Sequence, residues 1–76
     1  MKEIIGTARI VETGFDADRM ERWFDMRFDP PWDGIEVKRV YHSAITDDGL
    51  PMPMQDEQER AFQRRYARWL GYELVE

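Results

Sequence analysis

The sequence predicts an α+β fold in which two amphipathic helices pack on one face of a small three-stranded sheet. Three observations support this prediction: two segments repeat their apolar residues with the period of an α-helix, two others are rich in β-branched residues, and turn or proline signals separate them. The predicted order is strand, helix, strand, proline-containing arm, helix and short strand. Because the chain has only 76 residues, we expect residues 1–76 to form a single domain around one core.

The first strand is predicted from Lys2 to Glu12, where two β-branched clusters flank Gly6. We expect either a bulge or a close contact at this glycine. The first helix is predicted from about Ala17 to Phe28, with Asp16 as its N-cap. On a helical wheel its aromatic face lies beside an acidic edge that consists of Asp18, Glu21, Asp25 and Asp29.

Two adjacent prolines are predicted to end this helix, because residues before proline avoid the α-helical conformation. The second strand is predicted from Ile35 to Thr46, which is the clearest strand pattern in the chain. Asp47-Asp48-Gly49 then predicts a turn. One face of the strand is predicted to be apolar, with Ile35, Val37, Tyr41 and Ile45, and the other face carries His42.

The segment Leu50-Pro51-Met52-Pro53-Met54 alternates large apolar side chains with prolines. Neither proline can donate a hydrogen bond to a sheet, so we expect an extended arm at a sheet edge or on the surface. Its apolar side chains are candidates for docking on a partner, since a stiff segment loses little entropy when it binds. An arm folded back over the sheet is equally compatible with the sequence. Trp32 has two similar interpretations, as a plug at the end of the core or as an exposed interface anchor.

The second helix is predicted to begin with Asp56 as its cap and Glu59 in the capping-box position. It is predicted to end at Gly71 in a left-handed conformation, after which Tyr72 to Val75 adds a short strand. One arc of the helix is predicted to face the core, and the opposite arc is basic. The core arc holds Phe62, Tyr66, Trp69 and Leu70, and the basic arc holds Arg60, Arg64, Arg65 and Arg68.

No residues form a recognisable catalytic pattern. His42 and Ser43 are neighbours in a predicted strand, so their side chains point to opposite faces and cannot form a nucleophile–base pair. The chain has one histidine and no cysteine, which leaves no zinc cluster, and it has no glycine-rich phosphate loop. We therefore expect a protein that is not an enzyme and holds no cofactor and no metal, with His42 as a partly exposed strand residue.

The N-terminal segment lacks the continuous apolar stretch of a signal peptide. No apolar run reaches the roughly 18–20 residues that span a bilayer. We therefore expect a cytoplasmic protein without a membrane partner. The net charge of -5 opposes a general affinity for nucleic acids or anionic membranes.

Acidic charge is concentrated between Glu12 and Asp33, where seven acids outnumber three arginines. Carboxylates on a helix face can occupy the basic groove of a nucleic-acid-binding protein. Our leading hypothesis is a small acidic effector, an inhibitor or adaptor, that binds a basic or nucleic-acid-binding surface of a larger protein. The candidate contact residues are Asp18, Glu21, Asp25, Asp29, Trp32, Leu50, Met52 and Met54.

In size, acidity and lack of catalytic residues, the chain resembles small phage-encoded proteins that block bacterial defence, such as anti-CRISPR and DNA-mimicking antirestriction proteins. The resemblance covers bulk properties and no motif, so it assigns no functional residue. It implies an anti-defence role exerted by binding another protein.

Two other functions stay open. A nucleic-acid-associated module would place Arg60, Arg64 and Arg68 on phosphates, and its affinity would fall steeply with salt. Direct nucleic-acid binding is the weaker prediction, because the aromatic residues beside these arginines are predicted to face the core rather than to stack on bases. A structural subunit or homodimer would use the proline-containing arm and Trp32 as its contact surface.

Overall fold

The computed structural model describes residues 3–45, 49, 51–52 and 55–75 of the chain. In this part the chain forms one mixed sheet of four strands, one α-helix and a separate two-stranded ladder. The elements are β1 (Gly6–Asp16), β2 (Glu21–Trp32), β3 (Ile35–His42), β4 (Ala44–Ile45), β5 (Pro51–Met52), α1 (Asp56–Leu70) and β6 (Tyr72–Leu74).

The strand order in the large sheet is β3-β2-β1-β6. Strands β1, β2 and β3 form an antiparallel meander, and β6 pairs parallel with the start of β1, from Gly6 opposite Tyr72 to Ala8 opposite Leu74. Helix α1 packs on one face of this sheet. The predicted three-stranded sheet with two helices is therefore wrong, because the segment predicted as the first helix is the second strand of a hairpin.

Strand β2 forms because its residues alternate between two faces. Phe24, Met26 and Phe28 are 0%, 0% and 3% exposed, whereas the intervening residues point to the opposite face of the sheet. The helical prediction placed Trp23 and Phe24 on one apolar arc, but in the structure these neighbours lie on opposite faces. Hydrogen bonding to both β1 and β3 stabilises the extended conformation, and such tertiary pairing outweighs local helix propensity.

Asp16, which was predicted to cap a helix, instead stabilises the turn between β1 and β2. Its Oδ1 accepts hydrogen bonds from the backbone N–H groups of Asp18 at 3.0 Å and Arg19 at 3.1 Å. Met20 completes the turn with a φ of 53°. The same side-chain-to-backbone bonding that starts a helix therefore closes a hairpin here.

Gly6 lies against the end of β2. A Cβ atom at this position would overlap the carbonyl oxygen of Asp29, so the predicted close contact is confirmed. The bulge of β1 lies elsewhere, between Ile10 and Glu12. The two prolines do not end a helix but belong to the last residues of β2, where the Asp29–Pro30 peptide bond is cis and the Pro30 carbonyl accepts a 2.7 Å hydrogen bond from Tyr72 Oη.

Strand β3 confirms the predicted strand from Ile35 to His42, but the predicted face is inverted. Val40 and His42 are buried, while Ile35 and Val37 are exposed on the other face. Residues 44–45 belong instead to the small ladder with β5. The prediction failed because the buried face of β3 includes a polar residue, His42, which the apolar pattern does not reveal.

Helix α1 begins after Gln55, which is its N-cap, and Asp56 is the first helical residue rather than the predicted cap. The side chain of Gln58 accepts a hydrogen bond from the Gln55 N–H at 3.1 Å. The predicted end is confirmed, since Gly71 adopts a left-handed conformation with a φ of 94°. The predicted short strand after it is β6. No helix in the described part of the chain is both long enough and apolar enough to cross a membrane.

The core lies between α1 and the sheet. Phe62, Tyr66 and Leu70 of the helix pack against it as predicted, but Trp69 is 66% exposed and lies outside it. The buried apolar residues are Ala8, Phe24, Met26, Phe28, Val40, Ala67 and Tyr72.

Candidate functional site

The predicted acidic helix edge does not exist, but three of its residues still share a surface. Glu21, Asp25 and Asp29 are spaced by four residues, an even number, so they lie on one face of β2 as well. This is the sheet face opposite α1, which we call the outer face. Asp18 lies exposed in the turn.

The outer face is not uniformly acidic, because arginines neutralise two of these carboxylates. Arg39 forms a bidentate ion pair with Asp25, at 2.8 and 3.1 Å. Arg19 contacts Glu21 at 3.3 Å. Simple mimicry of nucleic-acid phosphates by this stripe is therefore not supported, since the pattern is one of alternating charges.

Near the β1–β2 turn, the outer face carries an aromatic–arginine cluster that consists of Trp23, Tyr41, Arg19 and Arg39. Trp23 and Tyr41 are direct cross-strand partners on β2 and β3. The Arg39 guanidinium lies 3.8 Å from the centre of the Trp23 ring, and the Arg19 guanidinium lies 3.9 Å from that of Tyr41. Both arginines thus hold a fixed position between a carboxylate and an aromatic ring.

Gly14 of β1 makes room for this cluster. A Cβ atom at Gly14 would overlap the indole ring of Trp23, its cross-strand partner. The indole therefore lies directly over the glycine backbone. A larger residue would displace the ring and the Arg39 side chain stacked on it.

The Asp25–Arg39 pair alters the electrostatics of the cluster. The hydrogen bonds from Arg39 hold the pKa of Asp25 below its ordinary value, because they stabilise the ionised carboxylate. The same bonds raise the pKa of Arg39. Both groups therefore stay charged across the physiological range.

A second polar assembly, which we call the buried network, links the sheet to the first turns of α1. His42 Nε2 lies 2.7 Å from Glu59 Oε2, and both residues are 5% exposed. The other Glu59 oxygen accepts from Arg22 Nη2 at 2.9 Å, and Arg22 Nη1 contacts Asp56 at 3.0 Å. We assign the proton to Nε2, because a carboxylate is an acceptor.

His42 lies inside the core rather than on the surface. Its imidazole packs against the rings of Phe24 and Phe62, at centroid distances of 5.4 and 5.3 Å. Its Nδ1 is buried and has no hydrogen-bond partner among the described residues. The predicted partly exposed His42 is therefore wrong. The lack of enzymatic activity stays a prediction.

The remaining candidates lie apart from one another. Trp32 is half-buried and packs on Phe28, with ring centroids 6.1 Å apart, which supports its interpretation as a plug at the end of the core. Met52 belongs to β5, and nothing is described of its side chain. Leu50 and Met54 lie outside the described residues.

The arginines of α1 are exposed, as predicted. Arg60 and Arg64 line a cavity of about 340 Å³ together with Arg9 of β1, and Arg68 is not part of its lining. Within the described ranges, no three His, Asp or Glu side chains are grouped as metal ligands.

Sequence reasoning missed most of these residues. Arg22, His42 and Glu59 come from three elements, and only the fold brings them together. The period-two alternation from Arg22 to Asp29 is the signal that could have identified the outer face. No protein-family model matches this chain, and neither a curated protein nor a solved structure shows significant similarity to it.

Proposed function

We propose that this chain is a non-catalytic effector, an inhibitor or adaptor, that binds a larger protein through the outer face of its sheet. The observation that supports this proposal is the aromatic–arginine cluster on a solvent-exposed sheet face. Tryptophan, tyrosine and arginine are the residues that dominate protein–protein binding energy. They lie here together on one surface with charged residues beside them, as in many interfaces.

The arginines of the cluster are already ordered. Arg39 is fixed by two hydrogen bonds to Asp25 and by stacking on Trp23. An ordered side chain loses less conformational entropy when it binds than a mobile one does. The cluster therefore presents a pre-organised surface to a partner.

Charge favours a protein partner with a basic surface. The net charge of -5 steers the chain toward positive surfaces. Glu21, Asp25 and Asp29 are on the same face as the cluster and can contact basic residues of a partner. Because Arg19 and Arg39 alternate with these acids, a matching partner surface also carries carboxylates. The phage-type anti-defence role and the cytoplasmic location stay predictions from the sequence.

The test compares the effect on partner binding of substituting Trp23 in the cluster and Trp69 on α1. A tagged chain is used to identify a partner from native cells, and affinity for the purified partner is then measured by calorimetry for Trp23→Ala and for the matched control Trp69→Ala. Trp69 is exposed on α1, far from the outer face in the fold. We expect Trp23→Ala to lose roughly 2 kcal/mol or more of binding free energy and Trp69→Ala to bind like the unmodified chain.

Equal affinities for both variants, or a loss for Trp69→Ala alone, would contradict the proposal. Because Trp23→Ala also removes a packing contact, Trp23→Phe and Arg39→Gln serve as milder variants, each checked for its fold by circular dichroism. Light scattering of the unmodified chain separates a monomeric effector from the homodimer that the sequence left open. A dimer that Trp23→Ala dissociates would assign the outer face to a second copy instead.

A further inference from the structure

Strand β6 leaves part of the edge of β1 uncovered. It pairs only with residues 6–8 of β1, and its ladder closes with a 2.8 Å hydrogen bond from the Val75 N–H to the Ala8 carbonyl. Beyond this point, at Arg9, two cavities of about 340 and 320 Å³ open on either side of the strand. Arg9 and Val75 line both of them.

Four arginines surround these cavities, and we call them the arginine notch: Arg9, Arg27, Arg60 and Arg64. Arg9 and Arg27 are direct cross-strand partners, an arrangement in which like charges repel. None of the four forms an ion pair or hydrogen bond in the described part of the chain, whereas Arg19, Arg22 and Arg39 are all paired with acids. The notch therefore concentrates positive charge that no described acid pairs with.

One acid lies nearby. Asp29 lines the smaller cavity with Arg9 and Arg27, whereas the described lining of the larger cavity includes no acidic residue. Within residues 3–45 and 55–75, no acid therefore offsets the positive charge of the larger cavity.

The amide of Gln63 adds a donor to the larger cavity. Gln63 is 6% exposed as a residue and lines this cavity between Arg60 and Arg64. Its side-chain nitrogen and oxygen are not among the buried atoms that lack a hydrogen-bond partner, so they reach the cavity surface. The amide N–H group can therefore donate to a ligand there.

We propose that the arginine notch binds a small ligand that carries a diphosphate group. Guanidinium groups match phosphoryl oxygens with paired hydrogen bonds. Two cavities that share Arg9 fit two linked phosphoryl groups, one toward Arg27 and one toward Arg60 and Arg64.

A small ligand is favoured over a nucleic acid because of charge. A polymer would extend past the notch toward Glu21 and Asp25 of the outer face, and the net charge of -5 would repel it. A small diphosphate responds mainly to charges within about 10 Å, the Debye length at 0.1 M salt.

The test is calorimetry with pyrophosphate in about 0.1 M salt, which screens charges farther than about 10 Å from the ligand. We expect saturable binding that falls roughly tenfold in Arg9→Gln and in Arg64→Gln, since a hydrogen bond to a charged group is worth about a factor of ten or more. Arg65→Gln and Arg68→Gln are the matched controls, because both residues are exposed on α1 but line neither cavity. Their affinity is expected to match that of the unmodified chain.

Orthophosphate and a single-stranded oligonucleotide are titrated in the same way for comparison. We expect orthophosphate to bind more weakly than pyrophosphate. No binding of pyrophosphate at millimolar concentration, or equal losses in the notch variants and the controls, would overturn the proposal. Tighter binding of the oligonucleotide than of pyrophosphate would also overturn it and would assign the notch to nucleic acid. The Trp23→Ala variant should bind pyrophosphate normally, which separates this site from the proposed protein interface.

Discussion

The five arginines of strands β1 to β3 and the turn between β1 and β2 fall into two groups with opposite surroundings. Near the β1–β2 hairpin turn, Arg19, Arg22 and Arg39 are each paired with acids from neighbouring elements. At the other end of the sheet, Arg9 and Arg27 face each other without a partner among the described residues. Residues of the first group stabilise the fold and pre-order a surface. Those of the second group contribute repulsion to the folded state, which is the arrangement expected where an anion binds.

The largest effect is expected in the buried network of the paired region. Glu59→Ala removes the carboxylate that contacts both His42 Nε2 and the Arg22 guanidinium. Breaking a buried ion pair costs about 3–5 kcal/mol, and a domain of this size has a free energy of unfolding of roughly 5–10 kcal/mol. We expect urea denaturation to show that the free energy of unfolding falls by about 3–5 kcal/mol.

Glu57→Ala is the control for this substitution, because Glu57 is exposed in the same first turns of α1. It should cost less than about 1 kcal/mol, the scale of a helix-dipole interaction. A loss at Glu59 as small as the loss at Glu57 would show that the network does not stabilise the fold.

An intermediate effect is expected on the titration of Asp25. Its folded-state pKa is lowered, so the pair contributes stability that is present above the unfolded pKa, about 4, and is lost as the pH falls through the folded value. Arg39→Gln should raise the pKa of Asp25 toward its ordinary value and remove this stability. The carboxyl carbon shift of Asp25, followed by NMR against pH, measures the change.

Arg27→Gln is the matched variant for that titration, since Arg27 is on the same face of β2 but does not bind Asp25. It should leave the titration of Asp25 nearly unchanged. An equal rise in the pKa of Asp25 in both variants would mean that general charge, rather than the Arg39 hydrogen bonds, lowers it.

The smallest effect on stability is expected at the cross-strand pair of Arg9 and Arg27. Arg27→Gln removes one member of a like-charged cross-strand pair, so it should increase the free energy of unfolding by up to about 0.5 kcal/mol. The urea midpoint of this variant, measured without phosphate, should equal or exceed that of the unmodified chain. A decrease in the midpoint would mean that Arg27 stabilises the fold, and the contrast between the two groups would disappear.

Local signals in the sequence predicted the elements that depend on local chemistry. Helix α1, its left-handed end at Gly71 and the short strand after it follow from capping and periodicity. The sequence did not predict the strand from Glu21 to Trp32. This segment contains no β-branched residue, and its aromatic residues fit both a helical and an alternating pattern. Only pairing with β1 and β3 decides between the two.

The candidate site was harder to predict for the same reason. The four-residue spacing of Glu21, Asp25 and Asp29 places them together in a helix and in a strand alike, so the acids were identified but their arginine partners were not. Arg39 and Asp25 are joined by strand register, and Arg9 meets Arg64 across a cavity between a strand and a helix. Register and packing of this kind have no signature in a single sequence.

The parallel pairing of β6 with β1 determines how the chain must fold. Gly6 lies opposite Tyr72, so residues from nearly the two ends of the described chain must meet before the core can close. The meander of β1, β2 and β3 needs only short connections, whereas this last pairing carries the entropy cost of closing almost the whole chain into a loop. We therefore expect the hairpin sheet to form first and the docking of α1 and β6 to limit the folding rate.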